Sequence, residues 1–126
     1  MPTHDEHGAP GAPLSAPEAL ALAESMQALA TASRVRLLYA LLDGDLTVEE
    51  LARVTGMTPG SASHQLRLLR HRHLVVARRE GRHVRYRLHD HHVAELLGAV
   101  RFHAEHVALG LEAPVSSALD AEGSLA

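Results

Sequence analysis

Two short strings hold the residues of this chain best suited to chemistry: Asp90-His91-His92 and, after ten intervening residues, His103-Ala104-Glu105-His106. Imidazole nitrogen and carboxylate oxygen are the ligands that borderline divalent ions such as zinc, nickel and cobalt accept. The chain carries 11 His and no Cys. Disulfides, cysteine-based zinc fingers, iron-sulfur clusters and a cysteine nucleophile are therefore excluded, and any metal chemistry has to use nitrogen and oxygen.

Both strings fall in one helical pattern that follows Asp90 and runs from about His91 to Leu109. At 100° per residue, the eleven steps from His92 to His103 return to within about 20° of the same face, and His103 and His106 are neighbours at i, i+3. One stripe thus carries His92, His103 and His106. The rise of about 1.5 Å per residue puts His92 and His103 about 16 Å apart along the axis, whereas a metal–nitrogen bond is about 2.1 Å. A single straight helix cannot bring them to one ion. Two copies packed antiparallel across a twofold axis can, with Asp90 and His92 of one subunit meeting His103 and His106 of the other. Each of the two equivalent sites then offers a complete tetrahedral set for zinc. The same four groups are the core of an octahedral nickel or cobalt site if His4, His7, His91 or Glu105 completes it. A lone histidine on an amphipathic helix is ordinarily a solvated polar residue; the D-x-H and H-x-x-H pair in a histidine-rich chain is what points to metal. His71, His73 and His83 suit a nucleic-acid face or solvent, and His89 receives no role.

A second kind of chemistry is legible in the arginines. The chain's formal net charge is −3, with 12 basic and 15 acidic residues. From Gly60 to Asp90, however, eight Arg stand against Glu80 and Asp90, a net +6, while the remaining residues carry four Arg and thirteen acids, a net −9. A basic module inside an acidic chain is an electrostatic footprint for phosphate.

The elements that must position these groups follow from caps and periodicity. Pro17 opens a helix that Leu20, Leu22, Met26 and Leu29 carry to about Ala30, and Thr31 or Ser33 caps a second with Val35, Leu37, Leu38, Leu41 and Leu42 on its stripe, ending near Asp43-Gly44. Thr47-Val48-Glu49-Glu50 has the form of a capping box for a short helix to about Thr55. Gly56-Met57 supplies a turn, and Thr58-Pro59 starts a helix that runs to about Arg72 with Ala62, Leu66, Leu68 and Leu69 inward. Two short helices across a glycine turn make a helix-turn-helix. Leu74–Arg79 and Arg82–Leu88, separated by Glu80-Gly81, form a β-hairpin wing. The fold class is mainly α with one small hairpin, a winged helix-turn-helix. Its second helix presents Ser61, Ser63, His64, Gln65 and Arg67 to base edges and phosphates, and the wing adds Arg78, Arg79, Arg82 and Arg85.

At 126 residues and 46% hydrophobic content the chain fits one small domain. Residues 1–16, with three of the six prolines, form a histidine-containing arm; residues 17–111 form the DNA-binding and dimerisation domain; residues 112–126 form a loose tail. No run approaches a membrane span and the first residues lack the pattern of a signal peptide, so a cytoplasmic, non-membrane protein is expected. There is no nucleophile with a base and no phosphate loop, so no enzymatic activity is expected, although three His and one Asp also occur in zinc hydrolases.

Leu29-Ala30-Thr31-Ala32-Ser33-Arg34 before the second helix, Ser63-His64-Gln65-Leu66-Arg67-Leu68-Leu69-Arg70 in the reading helix, and Gly81-Arg82 with Val84 and Tyr86 in the wing together resemble the ArsR/SmtB family of metal-sensing winged-helix repressors over residues 17–111. Asp90, His92, His103 and His106 coincide with that family's metal site on its last helix. The stretch His103–Leu111 and the histidine-bearing arm are most similar to its nickel- and cobalt-sensing branch, and the zinc-sensing members use the same four positions. The resemblance implies a homodimer that binds operator DNA when metal-free and dissociates on binding Ni(II) or Co(II), with Zn(II) as the alternative. It also implies that ligated His103 turns its second ring nitrogen toward a backbone carbonyl near His73. Two departures matter. The segment Leu51–Thr55 lacks the thiolates that other branches place there, and Ala108 stands where the nickel/cobalt branch has a further His. A winged-helix regulator answering a non-metal signal, or a histidine-rich metal-binding protein without DNA function, are the alternatives.

Overall fold

The computed structural model describes residues 11–110; His4, His7 and the tail lie outside the described residues. The chain order is α1 (Ala16–Gln27), α2 (Ala32–Ala40), β1 (Leu46–Thr47), α3 (Val48–Thr55), α4 (Pro59–His71), β2 (Val75–Glu80), β3 (His83–Leu88) and α5 (His91–Leu109). Every helix starts where a side-chain oxygen can receive an otherwise orphaned backbone N–H. Ser15 caps α1, Thr31 caps α2, Thr47 caps α3, Thr58 caps α4 ahead of Pro59, and Asp90 caps α5.

The reciprocal box at Thr47 and Glu50 forms as the spacing requires: Glu50 N–H donates to Thr47 Oγ1 at 3.1 Å, and Thr47 N–H donates to Glu50 Oε1 at 2.8 Å. The Thr47 backbone N–H, then its hydroxyl, holds the Glu50 carboxyl below its ordinary range. A carboxylate whose pKa is lowered on folding stabilises the fold above its unfolded pKa, and that contribution fades as pH falls through the folded value. Thr47→Ala is expected to cost about 1 kcal/mol at neutral pH. Urea melts at a series of pH values measure it; the backbone N–H that chiefly lowers the Glu50 pKa is kept in the variant, so the difference from wild type should change little as pH falls through the carboxylate range.

The α3–α4 turn depends on Gly56, whose φ of 72° lies in the left-handed region that side chains disfavour. At the far end of α4 the same conformation is taken by a non-glycine residue. His73, with φ 59°, closes a Schellman turn in which Leu74 N–H reaches Leu69 O at 3.0 Å and His73 N–H reaches Arg70 O at 3.0 Å. A histidine there stores about 1 kcal/mol of backbone strain that glycine would relieve.

The three strands form one antiparallel sheet in the order β1-β3-β2, with Ala77 opposite Tyr86 and Leu46 opposite the other edge of Tyr86. Strand β1 was not expected from the sequence. Two residues are too few to show alternation, and Leu46-Thr47 reads as the lead-in to the capping box. Pairing with β3 ties the wing to the helix-turn-helix at its root.

The core joins Leu37, Leu38 and Leu41 to Leu51, Ala52, Ala62, Leu66 and Leu69, and continues through Val75 and Tyr86 to Val93 and Leu97. Leu68 departs from expectation and is 39% exposed. Its position on the helical wheel lies about 120° from the direction shared by Ala62, Leu66 and Leu69, so it lines a groove with Ala28 of the α1 end and Arg34 instead. Helix α2 also ends earlier than expected, at Ala40, with Leu41–Gly44 continuing as turns. No helix among the described residues is long and apolar enough to cross a membrane.

Two faces remain without partners among the described residues. Helix α1 buries no residue, and α5 buries only Val93 and Leu97, both in its first two turns. Leu20, Leu22 and Met26 on α1, and Leu96, Val100, Phe102, Val107 and Leu109 on α5, are exposed in the single chain.

Candidate metal centre and nucleic-acid interface

Helix α5 is uninterrupted from His91 to Leu109, so the separation of about 16 Å between His92 and His103 holds. Among the described residues of one chain, no three His, Asp or Glu side chains converge. The four candidate ligands are instead presented as two half-sites at opposite ends of one helix.

The first half-site is built on the α5 N-terminus. Asp90 Oδ1 accepts the His92 N–H at 2.9 Å and the Val93 N–H at 3.2 Å, while Oδ2 accepts a hydrogen bond from His89 Nδ1 at 2.9 Å. The His89 bond first, and the two backbone bonds after it, hold the Asp90 carboxyl below its ordinary range, which keeps it an anion able to take a cation. Each carboxylate oxygen has two lone-pair directions, so Oδ2 retains one after bonding His89. The His92 ring is exposed, with Nδ1 3.5 Å from Asp90 Oδ1, and its centroid is 4.2 Å from that of His91.

The second half-site stands three turns further along. His106 Nδ1 donates to Phe102 O at 2.9 Å and the Phe102 ring lies 3.9 Å from the imidazole, centroid to centroid. With the proton on Nδ1, the neutral ring presents Nε2 as its lone pair, the arrangement metal-binding imidazoles use. His103 is exposed one turn away. The donor set therefore fits a borderline divalent ion: one carboxylate already ionised and one imidazole whose tautomer is set. Of the further candidates, His91 turns toward Glu95 at 4.0 Å and Glu105 is held by Arg101 at 3.3 Å. His4 and His7 lie outside the described residues.

Helix α4 buries Ala62, Leu66 and Leu69 and turns the opposite face outward. Ser61, His64 and Arg67 are exposed there. Arg67 Nη1 donates to Ser63 Oγ at 2.8 Å, so these two form one polar pair. Gln65 sits at the edge of that face and its carbonyl oxygen accepts from Arg34 Nη1 at 3.5 Å, leaving its amide N–H₂ for an outside partner.

The four candidate wing arginines differ in what already holds them. Glu80 accepts from Arg78 Nη2 and from Arg85 Nε, both at 3.1 Å, and Arg85 also approaches Glu50 at 3.9 Å. Arg85 thus braces the wing against α3, helped by His83 at 3.3 Å from Glu49. Arg79 reaches Gly81 O at 3.5 Å, and Arg82 at the tip makes no ion pair among the described residues. The bracing role of Arg85 was missed in the sequence, where the two-residue β1 that brings α3 under β3 gave no signal.

Residues 31–75 match the family described as bacterial regulatory protein, arsR family. The chain is 48% identical over 102 residues to the HTH-type transcriptional regulator NmtR of Mycobacterium tuberculosis, an alignment covering 81% of this chain and 85% of that protein. The fold superposes on the solution structure of apo-NmtR with a TM-score of 0.67 at 46% identity, covering 88% and 93% of the two chains. It also superposes on the homodimeric winged helix-turn-helix DNA-binding domain of a possible ArsR-family regulator from Mycobacterium bovis, with a TM-score of 0.68 at 36% identity over 75% of this chain and 91% of that one.

Proposed function

This chain belongs to the arsR family of bacterial regulatory proteins, and from that premise we propose that it is a homodimeric, metal-responsive repressor that holds operator DNA when metal-free and releases it when metal occupies sites between its subunits. The observation that carries this reading is the division of the ligand set. Asp90 and His92 stand at one end of an unbroken α5 and His103 and His106 at the other, so no ion reaches all four in one chain and a second copy supplies the missing half.

The unpartnered faces of α1 and α5 support a dimer through these helices. A row of exposed Leu, Val, Phe and Met on adjacent turns is what a subunit interface covers. The similarity to a homodimeric DNA-binding domain agrees with that arrangement. In the dimer, α4 is the recognition helix: Ser61, Ser63, His64, Gln65 and Arg67 meet the major groove, and the wing arginines reach the flanking backbone. A bound Ni(II), Co(II) or Zn(II) ion would draw together ligands from two subunits. Asp90 and His92 of one copy then stand fixed against His103 and His106 of the other, and the spacing of the two recognition helices is fixed with them. His103 has a second ring nitrogen to offer a backbone carbonyl near His73, at the end of α4. The nitrogen-and-oxygen donor set accepts nickel, cobalt or zinc, and the similarity of residues 103–111 and of the histidine-bearing arm to the nickel- and cobalt-sensing branch favours nickel or cobalt.

Optical titration of the full-length protein with cobalt(II) tests the reading. Weak visible absorption, characteristic of five or six ligands, is expected at one ion per subunit. Intense bands would assign a four-coordinate, zinc-like site, and no binding would leave a regulator answering a non-metal signal.

The DNA face has its own test. Among the described residues Arg82, at the wing tip, makes no side-chain hydrogen bond or ion pair, so Arg82→Ala should reduce the slope of log affinity against log salt by about 1 without altering base preference. Fluorescence anisotropy of an operator duplex between about 50 and 200 mM salt measures it. An unchanged slope would place the wing tip away from phosphate.

A further inference from the structure

Between the candidate ligand Asp90 and the end of the recognition helix stands His89, which neither the DNA face nor the ligand set uses. Three contacts fix it. Its backbone N–H donates to Leu74 O at 2.9 Å, its ring lies edge-on to that of His73 with centroids 6.0 Å apart and planes at 79°, and its Nδ1 is 2.9 Å from Asp90 Oδ2. Leu74 and His73 are the residues that close α4, Leu74 through its bond to Leu69 O and His73 through its left-handed backbone.

We propose that His89 is a positioning residue: by donating from Nδ1 it sets the orientation in which the Asp90 carboxylate meets a divalent cation, and through Leu74 and His73 it ties that carboxylate to the last turn of the recognition helix. The inference rests on the reading of Asp90 as a metal ligand. A carboxylate with Oδ1 held by two backbone N–H groups and Oδ2 by an imidazole N–H cannot rotate, so the lone pair left on Oδ2 has one direction. The orienting partner of a ligating carboxylate contributes to affinity without touching the ion, and losing one typically lowers affinity about 10- to 100-fold. Here the partner is also anchored to α4. A displacement of Asp90 toward an ion therefore pulls on the turn that ends the DNA-reading helix, along a path separate from the one through His103.

Three variants of the full-length protein test this, with cobalt(II) affinity measured by competition against a chelator and folding followed by far-UV circular dichroism. His89→Phe keeps a ring against His73 but removes the donor; His89→Asn places an amide N–H near the Nδ1 position; Asp90→Ser keeps the helix cap and removes the carboxylate. The expected result is an affinity lower by about 10- to 100-fold in His89→Phe, near wild type in His89→Asn, and at least as low as His89→Phe in Asp90→Ser. Cobalt should also weaken operator binding by a smaller factor in His89→Phe than in wild type. Wild-type affinity in His89→Phe beside a loss in Asp90→Ser would overturn the positioning role and leave the ligand reading standing. Equal losses in the Phe and Asn variants would overturn it too, by showing that restoring an N–H donor at this position does not restore affinity. Unchanged affinity in Asp90→Ser would remove both. Should His89→Phe fail to fold, His89→Ala replaces it, and rescue by Asn relative to Ala carries the same decision.

Discussion

Replacing His103 with alanine is expected to leave operator affinity of the metal-free protein unchanged while abolishing the release that metal causes. His103 lies exposed on the last turns of α5, outside the buried core and outside α4, so neither the fold nor the DNA surface depends on it. Its removal takes one imidazole from each proposed intersubunit site, and with it the ring nitrogen proposed to reach a backbone carbonyl near His73. Allosteric couplings of this kind are typically about 1 to 3 kcal/mol, or roughly 5- to 150-fold in affinity, and the variant should lose all of it. Anisotropy titrations of an operator duplex with and without nickel(II) make the comparison. Loss of operator binding in the metal-free variant would instead give His103 a structural role.

Leu66→Ala should have the largest effect on stability. Leu66 is fully buried where α4 packs against α2 and α3, and removing its side chain leaves a cavity that rigid helices on both sides cannot close. A cost of about 2 to 5 kcal/mol is expected, which is a large share of the 5 to 15 kcal/mol of a typical domain. The midpoint of thermal unfolding should fall by at least about 8 °C at fixed protein concentration. Leu68→Ala, two residues away on the same helix, is the control, because a residue 39% exposed should cost less than about 1 kcal/mol. Similar losses in the two variants would contradict the placement of α4.

These two leucines show how far the sequence could be read. Both carry the same helical pattern, and apolar character alone put Leu68 inside; what separates them is the direction set by Ala62 and Leu69, which only the packed helix displays. The caps of α3 and α4 were legible, because Thr47-x-x-Glu50 and Thr58-Pro59 satisfy backbone groups within their own few residues and need no distant partner, whereas at α2 the sequence left Thr31 and Ser33 open and the structure selects Thr31. Strand β1 was not legible, since its pairing with β3 joins residues about forty apart and follows from packing of the wing on α3. The same holds for Arg85, which reads as one more wing cation until Glu50 and Glu80 are seen on either side of it.

The candidate metal centre divides in the same way. Residue types and spacing named Asp90, His92, His103 and His106, and the straightness of α5 required a second subunit. The groups that contact these candidate ligands could not be read. His89 is adjacent to Asp90 in sequence, yet its importance comes from the turn at Leu74, and the tautomer of His106 follows from Phe102 O one helical turn back. His73 looked like one more basic-segment histidine, and its left-handed backbone became visible only once α4 was seen to end there.

The most direct test of coupling between metal and DNA is the affinity for nickel(II) or cobalt(II) measured by chelator competition, first with the free dimer and then with the dimer saturated by operator. Linkage requires that DNA weaken metal binding by the same factor by which metal weakens DNA binding. Equal factors, in the range of roughly 5- to 150-fold, are the predicted result. The same metal affinity with and without operator would contradict the proposed switch.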